Sequence, residues 1–115
     1  MKRPKIKALL GLLLIVASSH AHADNIQMLG AGNVTCTEWA SQRETNEYFS
    51  AGNWVLGFLS GTAWDSGRNI LSGQDTKKLF VFIDRYCIAS PKETISDAAV
   101  ALAYHLLGTL SDAVQ

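Results

Sequence analysis

Apolar residues recur along the chain with helical spacing, and no stretch alternates apolar and polar residues for long enough to predict a strand. The first helix is predicted to begin after Thr35, since Thr35 and Glu38 match a capping box, in which each side chain binds the other residue's backbone N–H. This places Cys36 in the first turn and Trp39 one turn later. The polar stretch 41–47 is predicted to end the helix.

A second helix is predicted over residues 47–64, the most apolar segment downstream of residue 23. On a helical wheel, one broad face carries Val55, Phe58, Leu59, Thr62 and Ala63. A second face, about 80° wide, carries Trp54, Gly57, Gly61 and Trp64. Because a helix that is apolar almost all round is normally central and buried, we expect this helix to lie at the centre of the domain.

A third helix is predicted after a loop over residues 65–74, which contains two Ser-Gly steps. Asp75 is expected to cap this helix, which spans residues 76–88. Its apolar stripe is formed by Leu79, Phe82, Ile83 and Tyr86, with Cys87 on the flank of the same face. Cys87 is therefore expected to point toward the core, within reach of the first helix.

The fourth helix is predicted to begin with Ser90 as its N-cap, Pro91 at the first helical position and Glu93 two residues later. It is expected to run to about residue 110. Its apolar face is formed by Ile95, Ala98, Ala99, Leu102, Ala103, Leu106 and Leu110. The pattern as a whole predicts a small all-α domain of four helices.

The N-terminal residues have the three parts of a secretory signal peptide. The first seven residues carry four basic side chains, residues 8–17 are uncharged and rich in leucine, and Ala21-His22-Ala23 forms a small-x-small end. The apolar run is shorter than the roughly 20 residues that span a bilayer, although a retained anchor is the alternative. We expect a signal peptide over 1–23, a flexible lead-in over 24–34, and a soluble periplasmic domain over 35–115 with no membrane anchor.

The charge balance changes once the signal peptide is removed. The 115 residues carry 10 basic and 10 acidic side chains, but the part after residue 23 has six basic and ten acidic ones, a net charge of −4. This argues against a nucleic-acid-binding protein that acts through a basic surface. The length allows one small domain, and a hydrophobic content of 48% excludes a disordered tail.

Cys36 and Cys87 are the only cysteines. In an exported protein they predict a single structural disulfide, worth about 4 kcal/mol for a loop of this length. A redox pair usually has the C-x-x-C spacing, and two distant cysteines with one histidine make a poor zinc site. These two alternatives are therefore disfavoured.

Motifs typical of catalytic, metal-binding or phosphate-binding sites are scarce. After residue 23 the one histidine is His105, and the spacings typical of metal sites, the G-x-S-x-G nucleophile motif and glycine-rich phosphate loops do not occur. His105 is interpreted as a residue at the edge of the core, with a catalytic or pH-sensing role as the alternative. The sequence predicts a non-enzymatic protein without a metal or cofactor.

The second face of the second helix is the sharpest candidate for function. Two glycines one turn apart form a flat strip that a backbone can approach, and tryptophans stand at its ends. We predict a groove for a protein partner, with Trp54, Gly57, Phe58, Gly61 and Trp64 as binding residues. The alternatives are that the first or fourth helix of the same chain packs there, or that the face forms a homodimer contact.

Three motifs resemble the small periplasmic acid-stress chaperones (HdeA/HdeB-like). They are Thr35-Cys36 at the first helix, W-x-x-G-F-x-S-G from Trp54, and Tyr86-Cys87 followed by Pro91. The resemblance implies an all-helical fold with a Cys36–Cys87 bond, and often a dimer that opens at low pH and binds unfolding proteins. The second and third motifs also resemble a group of small exported proteobacterial proteins.

The sequence thus predicts a periplasmic protein-binding module that acts as a stress chaperone on unfolded clients. The alternative is an immunity or inhibitor protein that binds one toxin or hydrolase, because the helical, disulfide-tied form is similar to periplasmic immunity proteins. A structural accessory of an envelope complex is a third possibility. A chaperone should bind many unfolded clients and change state on acidification, whereas an inhibitor should bind one folded partner tightly at neutral pH.

Overall fold

The computed structural model describes residues 26–114, with side chains described for residues 26–109. Its four α-helices are α1 (Cys36–Glu44), α2 (Phe49–Ser66), α3 (Thr76–Ala89) and α4 (Ile95–Val114), preceded by a 3-10 helix at Ala31–Asn33. No strand occurs within residues 26–114, so the predicted four-helix, all-α domain is confirmed. The predicted signal peptide and its cleavage point lie outside the described residues.

The predicted start of α1 is confirmed. The Glu38 backbone N–H donates to Thr35 Oγ1 and the Thr35 backbone N–H donates to Glu38 Oε1, both at 3.0 Å. The hydrogen bonds from the Thr35 backbone and hydroxyl hold the pKa of Glu38 below its usual range. The cap is therefore intact at neutral pH and is lost as the pH falls through that lowered pKa.

The predicted start of α4 is wrong. Ser90 closes α3 instead, because its backbone N–H donates to the Tyr86 carbonyl at 2.9 Å. The N-cap of α4 is Thr94, whose Oγ1 accepts from the Asp97 N–H at 3.3 Å while Asp97 Oδ2 accepts from the Thr94 N–H at 2.9 Å. Glu93 lies between the two helices, in the turn that follows Ser90.

A short backbone pairing explains why α4 begins four residues late. The Cys36 N–H donates to the Glu93 carbonyl at 2.8 Å, and the Ile95 N–H donates to the Val34 carbonyl at 2.9 Å. These bonds flank an antiparallel bridge between Thr35 and Thr94. The segment before Ile95 is therefore extended beside the start of α1, and a helix beginning at Pro91 would break this pairing.

The core lies where the four helices meet. The predicted apolar face of α4 is buried from Ile95 to Leu106, and the Leu110 side chain lies outside the described residues. In α3, Leu79, Ile83 and Cys87 are buried as predicted, but Phe80 is buried while Phe82 and Tyr86 are only half-buried. The remaining buried side chains of the core come mainly from α1 and α2 and include Cys36, Trp39, Ala51, Val55 and Leu59.

The predicted Cys36–Cys87 disulfide is confirmed. It joins α1 to α3 with a Cα–Cα distance of 4.9 Å, and the two residues are 1% and 5% exposed. Such bonds persist in oxidising compartments outside the cytoplasm. None of the helices within residues 26–114 is long and apolar enough to cross a membrane.

A carboxylate at Asp84 makes a second link between α1 and α3. Its Oδ1 accepts hydrogen bonds from Trp39 Nε1 at 2.8 Å and from Arg43 Nε at 3.0 Å, and its Oδ2 pairs with Arg43 Nη2 at 2.9 Å. The Arg43 guanidinium lies 4.6 Å from the ring centroid of Tyr48, which precedes α2. The hydrogen bonds to Asp84 raise the pKa of Arg43.

Candidate protein-binding surface

One face of α2 is open to solvent along most of its length. We call this face the outer strip. Its residues all lie on one side of the helix and are all exposed. They are Asn53, Gly57, Ser60, Gly61 and Trp64. No charged residue occurs from position 48 to position 64. Trp64, at the C-terminal end of the strip, is 89% exposed. The strip is therefore an uncharged surface on a helix whose opposite face forms the core.

The two glycines of the outer strip face open space. Apart from the adjacent residues and the backbone of α2 itself, no atom of the described residues lies within 4 Å of the position that a Cβ would occupy at Gly57 or at Gly61. The alternative that the first or fourth helix packs on this face is therefore wrong for the described residues. The prediction that α2 lies at the centre of the domain is also wrong, because α2 packs into the core through Ala51, Val55 and Leu59 and leaves the strip uncovered.

Trp54 has a structural role instead of standing at one end of the strip. Its Nε1 donates to the Leu29 carbonyl at 2.8 Å, and its ring lies against Gly32 in the 3-10 helix. The ring also stacks on Phe58, with centroids 5.4 Å apart and planes 12° apart. Of the five predicted binding residues, Gly57, Gly61 and Trp64 thus share an open face, while Trp54 and Phe58 form a half-buried pair on its flank.

Replacing Gly32 by alanine is expected to destabilise the protein by about 1–2 kcal/mol, because overpacking displaces a fixed neighbour. The new Cβ would lie 2.5 Å from the Trp54 ring, which is held by its hydrogen bond to Leu29. Urea unfolding at pH 7 measures the change.

Gly57→Ala is the matched control, because its Cβ would meet no atom within 4 Å apart from the adjacent residues and the backbone of α2. In a helix interior this substitution is expected to stabilise the protein by about 0.5–1 kcal/mol. Equal effects of Gly32→Ala and Gly57→Ala on the free energy of unfolding would contradict the close packing of Trp54 on the 3-10 helix.

A groove lies on the other side of Phe58, between α2 and α4. This α2–α4 groove has a volume of about 850 Å³, and its apolar lining is formed by Ile26, Met28, Phe58, Val100, Tyr104 and Leu107. Of these residues only Phe58 was singled out from the sequence. The available signal was in α4, which has no charged residue between Asp97 and Asp112 and therefore has an apolar side besides the one that faces the core.

One end of the α2–α4 groove is acidic. Asp97 and Tyr86 line it there, and the Tyr86 hydroxyl donates to Glu93 Oε1 at 3.3 Å. Burial and, next, the negative charge of Glu93 raise the pKa of Tyr86. The groove thus combines apolar walls with a negative end.

A second groove, of about 680 Å³, lies between α1 and α3 above the disulfide. Its charged lining residues are Arg43, Glu44 and Asp84, and Arg43 and Asp84 are already paired with each other. Ile88 on its rim is 80% exposed, and it lines neither the α2–α4 groove nor the outer strip. Ile88 therefore serves as a reference for an exposed apolar side chain outside both surfaces.

His105 is exposed on α4, with its ring centroid 5.4 Å from that of Phe82. Within the part of the chain that the structure describes, no group of three or more His, Cys, Asp or Glu side chains is placed to hold a metal ion. His105 therefore belongs to no such group among these residues.

The motifs behind the resemblance to the acid-stress chaperones lie at defined places in the fold. Thr35-Cys36 begins α1, the motif from Trp54 forms the middle of α2, and Tyr86-Cys87 lies near the end of α3. The resemblance itself remains a prediction, as do the dimer and the acid-induced opening that it implies. Comparisons of the chain with protein-family models, with curated proteins and with solved structures find no match.

Proposed function

We propose that the protein is a non-enzymatic, periplasmic protein-binding module that acts as a chaperone under acid stress and engages its clients through the outer strip of α2. The observation that carries the proposal is the open, uncharged face of this helix. A surface helix ordinarily turns charged and polar residues to water. This face instead carries no charge and ends in the exposed indole of Trp64, and exposed apolar side chains of this size are typical of a site that a partner covers.

The strip has the parts that a protein contact needs. Trp64 offers a large, exposed aromatic anchor, the residue type in which binding energy is most often concentrated. Beside it, Gly61 and Gly57 allow a partner's backbone to approach α2 closely. The disulfide and the hydrogen bonds of Asp84 hold α1 and α3 together, so two of the helices in the domain that carries the strip are fixed relative to each other.

One carboxylate supplies a means of loosening the domain in acid. Glu38 caps α1, and protonation removes the charge that strengthens its hydrogen bonds with Thr35. Since the pKa of Glu38 is lowered in the fold, the loss of its cap destabilises the folded state at acid pH and not at neutral pH. The loosened helices then expose additional apolar surface to clients.

The Trp64→Ala variant is expected to protect an aggregating client about tenfold less effectively, the usual cost of removing an aromatic anchor. The client is malate dehydrogenase incubated with the protein at pH 2 and then neutralised, and light scattering gives the concentration for half-protection. Because Trp64 is 89% exposed, the free energy of unfolding should change by less than about 0.5 kcal/mol.

Ile88→Ala is the matched control, since Ile88 is also largely exposed but lies outside the strip. It should protect the client as well as the unmodified protein does. Equal protection by the two variants would reject the strip as the client site.

The size and the apolar-dye binding of the oxidised protein between pH 7 and pH 2 test the acid response. Dye binding is expected to rise as the pH falls through the lowered pKa of Glu38. An unchanged particle across this range, together with tight binding of one folded partner at neutral pH, would reject the chaperone role. That result would indicate the inhibitor alternative.

A further inference from the structure

We propose that the α2–α4 groove is a second binding site, which takes an apolar peptide segment carrying a cationic residue at the end that lies beside Asp97. The site is separate from the outer strip, because Phe58 faces the groove from the flank of α2 while Gly57, Gly61 and Trp64 lie outside its lining. It requires neither acid pH nor the exposed Trp64.

The walls of the groove fit an apolar segment. The Tyr104 side chain is 70% exposed, Ile26 is also exposed, and Met28, Val100 and Leu107 are half-buried, so the lining has accessible apolar surface. Concave, mostly apolar sites with a few polar groups are the usual form of binding sites, and 850 Å³ lies in the upper part of their range of volumes.

The length of the groove fits a short stretch of peptide. Its lining on α4 extends from Asp97 to Leu107, which corresponds to about 15 Å along a helix axis. An extended chain covers this distance with about five residues. A segment of five or six residues therefore reaches from the acidic end to the far wall.

The acidic groups at one end of the groove determine which type of peptide residue binds there. Asp97 lies in the lining and Glu93 is bonded to the lining residue Tyr86. The cation bonded to a lining residue, Arg68, donates to the Leu107 carbonyl at the opposite end of the groove. A lysine or arginine at this end gains an ion pair, whereas an acidic residue meets like charge. The same field disfavours the anionic surface of a lipid bilayer, so we assign the groove to a peptide.

The test is calorimetric titration of the oxidised protein at pH 7 with two N-acetylated, C-amidated hexapeptides. One is Lys-Leu-Ala-Leu-Ala-Leu, and the other has glutamate in place of the lysine. The lysine peptide is expected to bind about tenfold more tightly, the combined effect of one attraction and one repulsion at a partly exposed site.

Two variants locate the site. Tyr104→Ser removes an apolar wall and is expected to weaken both peptides at least about fivefold. Asp97→Asn retains a side-chain oxygen for the cap of α4 but removes the charge, so the preference for lysine over glutamate should fall to about threefold or less. Ile88→Ser is the control for loss of an exposed apolar side chain and should leave both affinities unchanged.

Equal binding of the two peptides, or equal effects of Tyr104→Ser and Ile88→Ser, would overturn the proposal. So would binding of phosphatidylglycerol vesicles that depends on Tyr104 in the absence of peptide binding. The result is independent of the proposed function, because Trp64→Ala should leave the peptide titrations unaltered. A loss of client protection in that variant and a loss of peptide binding in Tyr104→Ser are therefore separate findings.

Discussion

Replacing Cys36 and Cys87 together by alanine is expected to lower the free energy of unfolding by about 4 kcal/mol. The disulfide closes a loop across a sequence separation of 51 residues, so its removal frees a large part of the unfolded chain. A domain of this size has a total stability of about 5–10 kcal/mol, so the variant should retain only about 1–6 kcal/mol. Urea unfolding followed by far-UV circular dichroism at pH 7 measures the difference.

The unmodified protein treated with dithiothreitol is the matched control, because it loses the bond and keeps both sulfur atoms. Its stability should fall by a similar amount, with a small offset for the packing of two buried thiols. A loss below about 1 kcal/mol in both samples would show that the disulfide does not restrict the unfolded chain in the expected way.

Asp84→Ala is expected to destabilise the protein by about 2–3 kcal/mol, because it leaves a buried donor without an acceptor. Trp39 is 1% exposed, and its indole N–H donates to Asp84 Oδ1. Asp84→Asn preserves a side-chain oxygen for this bond and removes only the ion pair with Arg43, so it should cost about 1 kcal/mol. Thermal and urea unfolding of the two variants give the comparison.

A double-mutant cycle separates the two contributions of Asp84. In a Trp39→Phe background the donor is absent, and Asp84→Ala should then cost only about 1 kcal/mol. Asp65→Ala, at an exposed carboxylate, provides the baseline and should change stability by less than about 0.5 kcal/mol. If Asp84→Ala costs the same in both backgrounds, the Trp39 hydrogen bond contributes nothing to stability.

The features that the sequence predicted correctly are those with local or unambiguous causes. The caps at Thr35 and Asp75 depend on side chains three residues from the N–H groups that they bind, so the pattern alone suffices. The disulfide was predictable because two cysteines allow one intramolecular pairing. The presence of the four helices could be predicted because apolar residues recur with a period of about 3.6 residues.

The start of α4 was mispredicted because two similar signals lie four residues apart. Ser90 with Glu93 and Thr94 with Asp97 both match a capping pattern, and Ser90 also has a proline in its favour. The choice is made by the pairing of Thr94 with Thr35, which is 59 positions away along the chain. Local propensity carries no information about such a contact.

The candidate surface could be predicted only in part, because contacts between segments distant in the chain determine which residues are exposed. The helical wheel gives the face that carries Gly57, Gly61 and Trp64, but it does not show which neighbours cover that face. Trp54 was assigned to a partner because its hydrogen bond to Leu29 joins residues 25 positions apart. The sequence does not reveal the α2–α4 groove, because its lining comes from four separate segments of the chain.

The three tryptophans lie in three different environments, so their intrinsic fluorescence reports on three different parts of the protein. Trp39 is enclosed in the core, Trp54 is half-covered by the turn before α1, and Trp64 stands in water. Iodide should quench the long-wavelength emission of Trp64 first, and a bound client should shield it. A shift of the short-wavelength component would instead report that the helices around Trp39 have separated. Fluorescence can thus distinguish covering of the surface from opening of the core in one unlabelled sample.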